Sequence, residues 1–345
     1  MATRVVTRIA DVAALAHVSA ATVSRVLNGA PSVHPALRER VEHAAAALDY
    51  RPDRVARTLR RGAAARIGLL VSDVQNPFFT ALVRGVEAVA AERDFLVMLG
   101  NSDGDPVRER RYGEALIAER VAGVVVASTD PSGAAVGALH SADIPVVLVD
   151  RASGHAPVDA VFVDNRAGGR AAAEHLLGLG HRRIGTITGP LHFSVARERL
   201  EGFRAGLAAA GVPLDASLVR VGDFRLASGQ AAMAGLLEQA GDGLQAVFVA
   251  GDLMTLGALA AIYATGRQVP RDLSMVGFDD MPWAAALHPP LTTIAQPATD
   301  MGAAAARLLL ERLDGRAPAQ PRHLVLQPRL IVRASSGPPA PGAAA

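Results

Sequence analysis

The chain has 345 residues, half of them hydrophobic but only 4% aromatic, with no cysteine and a formal net charge of +2. This length exceeds what one compact core usually absorbs and predicts two or three domains, while the composition favours helices packed on sheets over a β-sandwich. The lack of cysteine excludes disulfides, thiol nucleophiles and thiolate metal sites. All 35 basic residues are arginine, which also excludes a Walker A lysine and a Schiff-base lysine.

No segment of the sequence fits a membrane span or a secretory signal. The longest uncharged stretch, residues 281–299, contains four prolines. The first ten residues carry Arg4 and Arg8 and lack an apolar core and a cleavage site. We therefore expect no membrane association and a cytoplasmic location.

The positive charge is concentrated near the start of the sequence. Residues 1–61 contain ten arginines against five acidic residues, whereas the remaining 284 residues hold 25 arginines and 28 acidic residues. A compact basic segment beside a nearly neutral body is typical of nucleic-acid binding, although a basic terminus can also be merely solubilising.

The first 48 residues predict three helices. Apolar residues at helical spacing begin at Ile9, Ser19 is placed to cap a second helix over residues 20–27, and residues 35–48 form a third. Two short helices joined by a tight turn and backed by a third form a helix-turn-helix, whose second helix enters the DNA major groove. A bundle that serves only for packing is the alternative, and the local positive charge favours DNA binding.

From Arg66 onward, short β-branched runs alternate with helical stretches, which predicts parallel βαβ units with helices on both faces of each sheet. The predicted strands cover residues 67–71, 95–99, 123–127, 146–149, 161–163, 184–187, 219–221, 246–249 and 275–278, and the first two helices cover residues 80–93 and 107–120. Two such series predict two similar doubly wound lobes, which bind ligands beyond the carboxyl ends of their strands.

Nearly every predicted strand is followed by a carboxylate or an aromatic residue. With the asparagines and the arginine beside them, the residues at these strand ends are Asp73, Asn76, Phe78, Phe79, Asn101, Asp103, Asp130, Asp150, Arg151, Asp223, Phe224, Asp252, Asp279 and Asp280. A single aspartate after a strand is most often a helix cap or turn former, which is our interpretation of Asp130, Asp223 and Asp280. As a set, carboxylates, a guanidinium and aromatic faces suit a small polyhydroxylated ligand.

Motifs in the first 52 residues resemble the lactose-repressor (LacI/GalR) family of transcriptional regulators. They are DVA at 11–13, ATVSRVLNG at 21–29 and YRP at 50–52. The sequence departs from the family at Arg8, where a capping threonine is usual, and at His17, where glycine or serine is usual. The helix and the resemblance together imply that DNA is contacted by Ser19, Ala20, Ala21, Thr22, Ser24, Arg25 and Asn28.

Residues 52–65 are rich in arginine and predict a helix too short to be stable alone. A solvated basic linker is one interpretation. The resemblance implies instead a hinge helix that binds DNA through Arg54 and Arg57, with Leu59 wedged into the minor groove.

Motifs of the body also resemble this family, whose effector domain is similar to periplasmic sugar-binding proteins. They include GLLV at 68–71, NPFF at 76–79, RLEGF at 199–203 and GFDD at 277–280. Together with the strand ends, they predict effector contacts from Phe78, Phe79, Asp103, Asp150, Arg199, Phe224, Asp252, Asp279 and Gln296. Gly251 stands where the family often has a polar residue, and Phe193 and Val195 replace polar residues of the purine-binding branch, which favours a sugar or sugar derivative.

The sequence predicts an N-terminal all-α helix-turn-helix head and an α/β body of two doubly wound parallel-sheet lobes. The predicted boundaries are 1–51 for the head, 52–65 for the hinge, 66–334 for the effector-binding domain and 335–345 for a disordered tail. Lobe 1 takes residues 66–163 and 294–323, and lobe 2 takes residues 164–293 and 324–334.

We predict a transcriptional regulator, a repressor, whose affinity for operator DNA is controlled by a small effector bound between the lobes. A homodimer on a pseudo-palindromic double-stranded operator is expected, in a nucleoid-associated location and with no cofactor or metal. An enzyme is the main rival class, and the sequence has no GxGxxG, GxxxxGK[ST], GxSxG or HExxH motif. The alternative is a cytoplasmic sugar-processing or sugar-binding α/β protein without a regulatory role.

Overall fold

The computed structural model describes residues 9–27, 34–48, 66–154 and 157–339. The chain divides into two compact units, residues 1–64 and residues 65–345, and each is described by itself. Asn28, Arg54, Arg57 and Leu59 lie outside the described residues, as do residues 340–345.

The smaller unit contains the three helices that the sequence predicts. They are α1 (Ile9–Leu15), α2 (Ala20–Leu27) and α3 (Pro35–Ala47). Val12, Val23 and Val41, one from each helix, are buried together in its core. The predicted cap is confirmed, because the Thr22 amide donates to Ser19 Oγ over 3.1 Å. His17 lies in the turn between α1 and α2 with a φ of 50°, in the left-handed region where glycine is usual.

The larger unit contains two six-stranded sheets with the same strand order. The first has the order β2-β1-β3-β4-β5-β11 and the second the order β7-β6-β8-β9-β10-β12. Every pairing is parallel except that of β10 with β12. The strands are β1 (Arg66–Val71), β2 (Leu96–Asn101), β3 (Val124–Val126), β4 (Val146–Val149), β5 (Asp159–Val163), β6 (Ile184–Thr188), β7 (Val219–Val221), β8 (Ala246–Val249), β9 (Ser274–Phe278), β10 (Thr292–Ala295), β11 (His323–Leu326) and β12 (Arg329–Ile331).

Helices follow most of these strands, as the alternating pattern predicts. They are α4 (Pro77–Ala91), α5 (Pro106–Ala118), α6 (Ala134–Ser141), α7 (Asn165–Gly178), α8 (Ser194–Ala209), α9 (Leu226–Ala240), α10 (Asp252–Ala264) and α11 (Ala298–Leu313). The central strands, such as β3 and β8, are buried along their whole length because helices cover both faces.

The first predicted helix of the body starts three residues too late. In the structure α4 begins at Pro77 because the side chain of Asn76 caps it, accepting from the Phe78 amide over 2.8 Å. Proline is favoured at the first helical position, where no amide hydrogen is needed. The cap brings Phe78 and Phe79 onto the first turn of α4, next to the end of β1.

The predicted division between the lobes is wrong at two crossovers. The sequence places residues 294 and 295 in lobe 1, yet β10 pairs with β9 in the second sheet. It places residues 324–326 in lobe 2, yet β11 pairs with β5 in the first sheet. No strand is predicted after residue 278, so β10, β11 and β12 and the sheets that they join were missed.

The predicted disordered tail is also wrong for residues 335–339. Ser335 is buried, and its hydroxyl donates to the Met275 carbonyl and accepts from the Thr292 amide, both over 2.8 Å. The Gly337 carbonyl accepts from Ser274 Oγ over 2.9 Å. The segment therefore satisfies polar groups at the start of β9 and β10, which its proline- and glycine-rich composition did not indicate.

Asp159 at the start of β5 is fully buried and joins the first sheet to α11. Its carboxylate accepts from Arg312 Nη2 over 2.6 Å and from Arg322 Nη2 over 3.0 Å, and also from the Arg322 amide. Bonds from the two arginines hold the pKa of Asp159 below its ordinary value, against the opposing effect of burial. The carboxylate therefore stabilises the fold in its ionised form.

We expect Asp159→Asn to lower the free energy of unfolding by about 2 to 3 kcal/mol. This is at the lower end of the cost of breaking a buried ion pair, because both arginines are partly exposed to solvent. Urea denaturation at pH 7 measures this. Because the folded pKa is below the unfolded one, the stabilisation is complete above about pH 4 and is lost below it, so the deficit shrinks in acid. Glu119→Gln, which breaks an exposed pair with Arg66, is the control and should change stability by less than about 0.5 kcal/mol.

Candidate functional site

A cavity of about 370 Å³ lies between the two lobes, at the carboxyl ends of both sheets. The structure brings all nine predicted effector contacts to its lining: Phe78, Phe79, Asp103 and Asp150 from lobe 1, Arg199, Phe224, Asp252 and Asp279 from lobe 2, and Gln296 from the crossover after β10. Ligands of doubly wound sheets bind at this edge. That these residues contact an effector remains a prediction.

Four of the nine residues leave their strands with a left-handed backbone. The φ angle is 55° at Asp103, 68° at Asp150, 67° at Phe224 and 75° at Asp279. Non-glycine residues in this region each cost of order 1 kcal/mol, and such strain clusters at ligand sites, where the surrounding structure imposes it. Four other described residues, His17, Asp94, Arg120 and Asp143, have the same backbone conformation outside the cavity, so this conformation does not by itself mark the site.

The guanidinium of Arg151 is enclosed by three aromatic rings. Its Cζ lies 4.4 Å from the ring centre of Phe193, 5.5 Å from that of Phe224 and 5.9 Å from that of Phe79. Its Nη1 donates to Ser72 Oγ over 3.1 Å. Because Arg151 and Phe79 belong to lobe 1 and the other two rings to lobe 2, these cation–π contacts connect the lobes.

The Phe224 ring rests on two glycines of lobe 2. A Cβ at Gly189 would lie 2.1 Å from the ring, closer than any real contact, and one at Gly251 would lie 3.1 Å from both the ring and Met254. The departure from the family at Gly251 therefore has a structural counterpart: an aromatic wall packs where a polar side chain would otherwise stand.

Buried charges of opposite sign face one another in each lobe. In lobe 1, Arg151 Nε lies 3.3 Å from Asp150 Oδ2. Burial raises the pKa of Asp150 and lowers that of Arg151, and each charge opposes the other's shift. In lobe 2, burial lowers the pKa of Arg199 and raises that of Asp279, and each again opposes the shift of the other.

Arg199 is anchored largely by lobe 2 itself. Its Nε donates to Asn165 Oδ1 over 2.8 Å, its Nη1 donates to the Ala250 carbonyl over 3.0 Å, and its Cζ lies 3.7 Å from the Phe278 ring centre. Asp279 Oδ1 accepts from Gln296 Nε2 over 2.5 Å. These contacts fix the guanidinium and the carboxylate before any ligand arrives.

Asp252 at the start of α10 connects the lobes through Asn76. Its Oδ1 accepts from Asn76 Nδ2 over 2.8 Å and from the Leu253 amide over 2.7 Å. Its Oδ2 is buried and has no hydrogen-bond partner among the described residues, and the same holds for Gln296 Oε1. Burial, and then the nearby charge of Asp279, raise the pKa of Asp252 to about 7. Asp252 Oδ2 and Gln296 Oε1 are thus two buried acceptors to which a ligand in the cavity can donate hydrogen bonds.

Asp103 lines the cavity, but its oxygens bind two arginines of the chain. Arg225 Nη2 donates to Asp103 Oδ1 over 2.9 Å and to its carbonyl over 3.0 Å, and Arg108 Nη1 donates to Oδ2 over 3.3 Å. The Asp103 and Arg225 side chains are 42% and 48% exposed, so they lie at the mouth of the cavity.

The sequence predicts that three further aspartates, Asp130, Asp223 and Asp280, are helix caps or turn formers. Asp130 accepts from the Ser132 and Ala134 amides and Asp223 from the Arg225 amide, which confirms both as cap or turn formers. The same interpretation is wrong for Asp280. It forms a two-pronged ion pair with Arg333, with N–O distances of 2.6 and 2.9 Å.

The predicted effector contacts omit four residues that line the cavity: Asn76, Arg151, Phe193 and Arg225. Asn76 and Arg151 stood in the motifs that follow β1 and β4, so their position was a usable signal. Phe193 was indicated by the resemblance, as a position where the purine-binding branch has a polar residue. No local pattern indicates that Arg225 reaches Asp103 of the other lobe.

The predicted DNA-contacting surface lies on α2 of the smaller unit. Ser19, Ala20 and Arg25 are exposed, whereas Thr22 is half-buried and its hydroxyl lies 2.9 Å from that of Ser19. Ala21 and Ser24 are on the same helix, but the structure does not describe their side chains. Arg25 is thus the long hydrogen-bond donor on the described part of this helix.

Two absences hold for the described residues. Residues 9–27, 34–48, 66–154 and 157–339 contain no group of three or more histidine and acidic side chains arranged to hold a metal ion. No helix in these ranges is long and apolar enough to cross a membrane.

Comparison with family models matches both units. Residues 8–53 match the model described as bacterial regulatory proteins, lacI family, and residues 173–336 match that of the periplasmic binding protein-like domain.

Relatives match over nearly the whole chain. The ribose operon repressor of Escherichia coli strain K12 is 37% identical over 94% of this chain and 98% of its own. The structure of the transcriptional regulator CelR–cellobiose complex is 39% identical, with a TM-score of 0.74, and covers 95% of this chain and 99% of its own. The structure of the lac repressor dimer bound to operator and the anti-inducer ONPF is 30% identical, with a TM-score of 0.78. The match covers 96% of this chain and 99% of that one. The chain therefore belongs to the LacI family of bacterial transcriptional regulators.

Proposed function

We propose that the chain is a repressor that binds operator DNA as a homodimer and responds to a small, uncharged, polyhydroxylated effector in the cleft between its lobes. The observation that carries the effector class is the pair of buried acceptors without a described partner, Asp252 Oδ2 and Gln296 Oε1. Hydroxyl groups supply donors to such acceptors and can also accept from guanidinium groups. The cellobiose bound to CelR and the name of the ribose operon repressor support a sugar or sugar derivative.

The balance of charge in the cleft supports a neutral effector. Asp150 faces Arg151 and Asp279 faces Arg199, so these four buried charges are compensated in pairs. The third buried carboxyl group, that of Asp252, has a pKa raised to about 7 and therefore carries only a partial charge near neutral pH. A charged ligand would leave one charge without compensation in a site of low dielectric, which is costly. The rings of Phe78, Phe79 and Phe224 supply the apolar face on which the carbon side of a sugar can pack.

The DNA-binding step is assigned to the smaller unit. We propose that Ser19, Ala20, Ala21, Thr22, Ser24, Arg25 and Asn28 face the major groove and that Arg54, Arg57 and Leu59 act from the hinge. One such head supplies few base contacts, so two heads on a two-fold symmetric site explain specificity better. This role implies a cytoplasmic, nucleoid-associated location and requires no cofactor or catalysis.

Two measurements test the proposal as a whole. Calorimetry against sugars, sugar acids and polyols, including ribose and cellobiose, should give heat with a neutral sugar. Gel retardation on the chain's own promoter fragment should show a specific complex whose affinity that sugar changes. A sugar-processing or sugar-binding protein without a regulatory role would give the heat and no retardation.

Arg25→Ala should reduce discrimination between operator and random DNA by about 1 to 3 kcal/mol, because a guanidinium can make paired bonds to a guanine edge. Titration of both DNAs by fluorescence anisotropy measures the ratio. Arg60→Gln, in the hinge, is the comparison and should weaken both complexes alike and flatten their salt dependence. If Arg25→Ala also weakened both alike, Arg25 would be a phosphate contact.

Asp279→Asn should shift the response to an effector concentration about tenfold higher or more, while operator affinity without effector stays within about twofold. Loss of a charge-assisted bond in the cleft should weaken effector binding about tenfold or more. Asp280→Asn is a matched control, because this neighbour pairs with Arg333 and does not line the cavity. An Asp279→Asn protein with a normal response would remove this carboxylate from the effector site.

Effector affinity should rise between pH 6 and pH 8. A hydroxyl that donates to Asp252 Oδ2 favours the ionised carboxylate, so the pKa falls from about 7 when effector binds and protons are released. Effector affinity rises about tenfold for each unit by which binding lowers the pKa of Asp252, and it levels off above the pKa of Asp252 in the free protein. Calorimetry across this range should show it, and Asp252→Asn should flatten the profile. An affinity that falls with pH would mean that Asp252 binds effector in its protonated form.

A further inference from the structure

The geometry points to Asp103 and Arg225 as a latch that holds the cleft closed, rather than as contacts to the effector. Arg225 lies in lobe 2, directly after Phe224, and Asp103 lies in lobe 1, two residues beyond the end of β2. Their side chains meet across the mouth of the cavity with an N–O distance of 2.9 Å.

The latch has two bonds from a single nitrogen. Arg225 Nη2 donates both to the Asp103 carboxylate and to the Asp103 backbone carbonyl. Asp103 has a φ of 55° and the next residue, Gly104, one of 74°, so the loop presents side chain and carbonyl to the same donor. A Cβ at Gly104 would lie 3.8 Å from that nitrogen, which leaves room for the guanidinium to approach.

Asp103 also has a partner for the open state. Arg108, in the first turns of α5 in the same lobe, donates to the other carboxylate oxygen over 3.3 Å. When the lobes separate, Asp103 can keep this bond while Arg225 returns to water. The bond and the charge of Arg225, and then the charge of Arg108, lower the pKa of Asp103 in the closed arrangement.

The latch acts on the effector site through Phe224. Because Phe224 and Arg225 belong to the same loop of lobe 2, a separation of the lobes that breaks the bond to Asp103 also carries the Phe224 ring away from Arg151. Asp103 and Arg225 are therefore positioning residues for closure. The consequence for gene regulation rests on the proposed effector site, whereas closure itself can be measured without any ligand.

The chain has no cysteine, so a pair of spin labels can be introduced without background. Cysteines at Ala134 and Ala227, exposed residues at the starts of α6 and α9, place one label on each lobe. Pulsed electron paramagnetic resonance on the ligand-free full chain, mixed with an excess of unlabelled chain so that a dimer carries labels on one protomer only, then gives the distance distribution across the cleft. At low salt we expect the short distance to dominate, and Arg225→Gln should lower the ratio of short to long distances about two- to fivefold, as for an exposed ion pair.

Salt and conservative replacement separate a latch from general damage to the fold. In the parent, 0.5 M NaCl should shift the distribution towards long distances, because salt screens an exposed pair, whereas Arg225→Gln should not respond. Arg225→Lys should restore part of the short distance. Arg271→Gln, which breaks an exposed pair inside lobe 2, is the control and should match the parent.

An Arg225→Gln distribution that superimposes on the parent's at low salt would overturn the latch. A salt shift of equal size in Arg225→Gln and the parent would overturn it as well. If the distances change as expected but no sugar binds, the latch stands and the proposed effector fails.

Discussion

Compensation of the charges buried between the lobes is the constraint on which the rest of the effector domain depends. Asp150, Arg151, Arg199 and Asp279 are all less than a tenth exposed. A buried charge that loses its partner costs several kcal/mol, so these groups must face one another. Arg199 is held by its own lobe, but Arg151 is enclosed by rings from both lobes. The charge pairs lie within single lobes, and it is the contacts of Arg151 with Phe193 and Phe224 that favour the closed arrangement. A ligand must therefore fit the space that these groups leave free.

The sequence allowed the central strands and their helices to be predicted, because runs such as 124–126 and 246–249 are buried on both faces and contain only apolar residues. It also allowed the Ser19 cap to be predicted from its position before an apolar pattern. The strands where the chain crosses between the sheets were not predicted, since β10 (TTIA) and β11 (HLVL) are short and contain polar residues. The ordered structure of residues 335–339 could not be predicted either, because it depends on hydrogen bonds between Ser335 and backbone groups at the starts of β9 and β10.

The cavity was predictable to the extent that parallel strands share an edge. Each of the nine residues chosen from strand ends and family motifs lines it. The contacts that each residue makes in the cavity could not be predicted, because they depend on neighbours that are distant in sequence. Asp103 meets an arginine 122 positions away, and the Arg151 cage requires Phe193 and Phe224 from the other lobe. The left-handed backbone of four of these residues also leaves no local signature in the sequence.

The central claim is that the cleft and the DNA-binding head are coupled, although they belong to separate units of the chain. A ligand shifts an equilibrium only through different affinities for its two states, and the coupling must be equal in both directions. The direct test is calorimetric: the dissociation constant of the active sugar is measured for the free protein and for the operator-bound protein. We expect the two constants to differ by a factor whose square, one factor for each of the two effector sites of the dimer, equals the change that saturating sugar makes in operator affinity. Equal constants on and off the operator would contradict the claim.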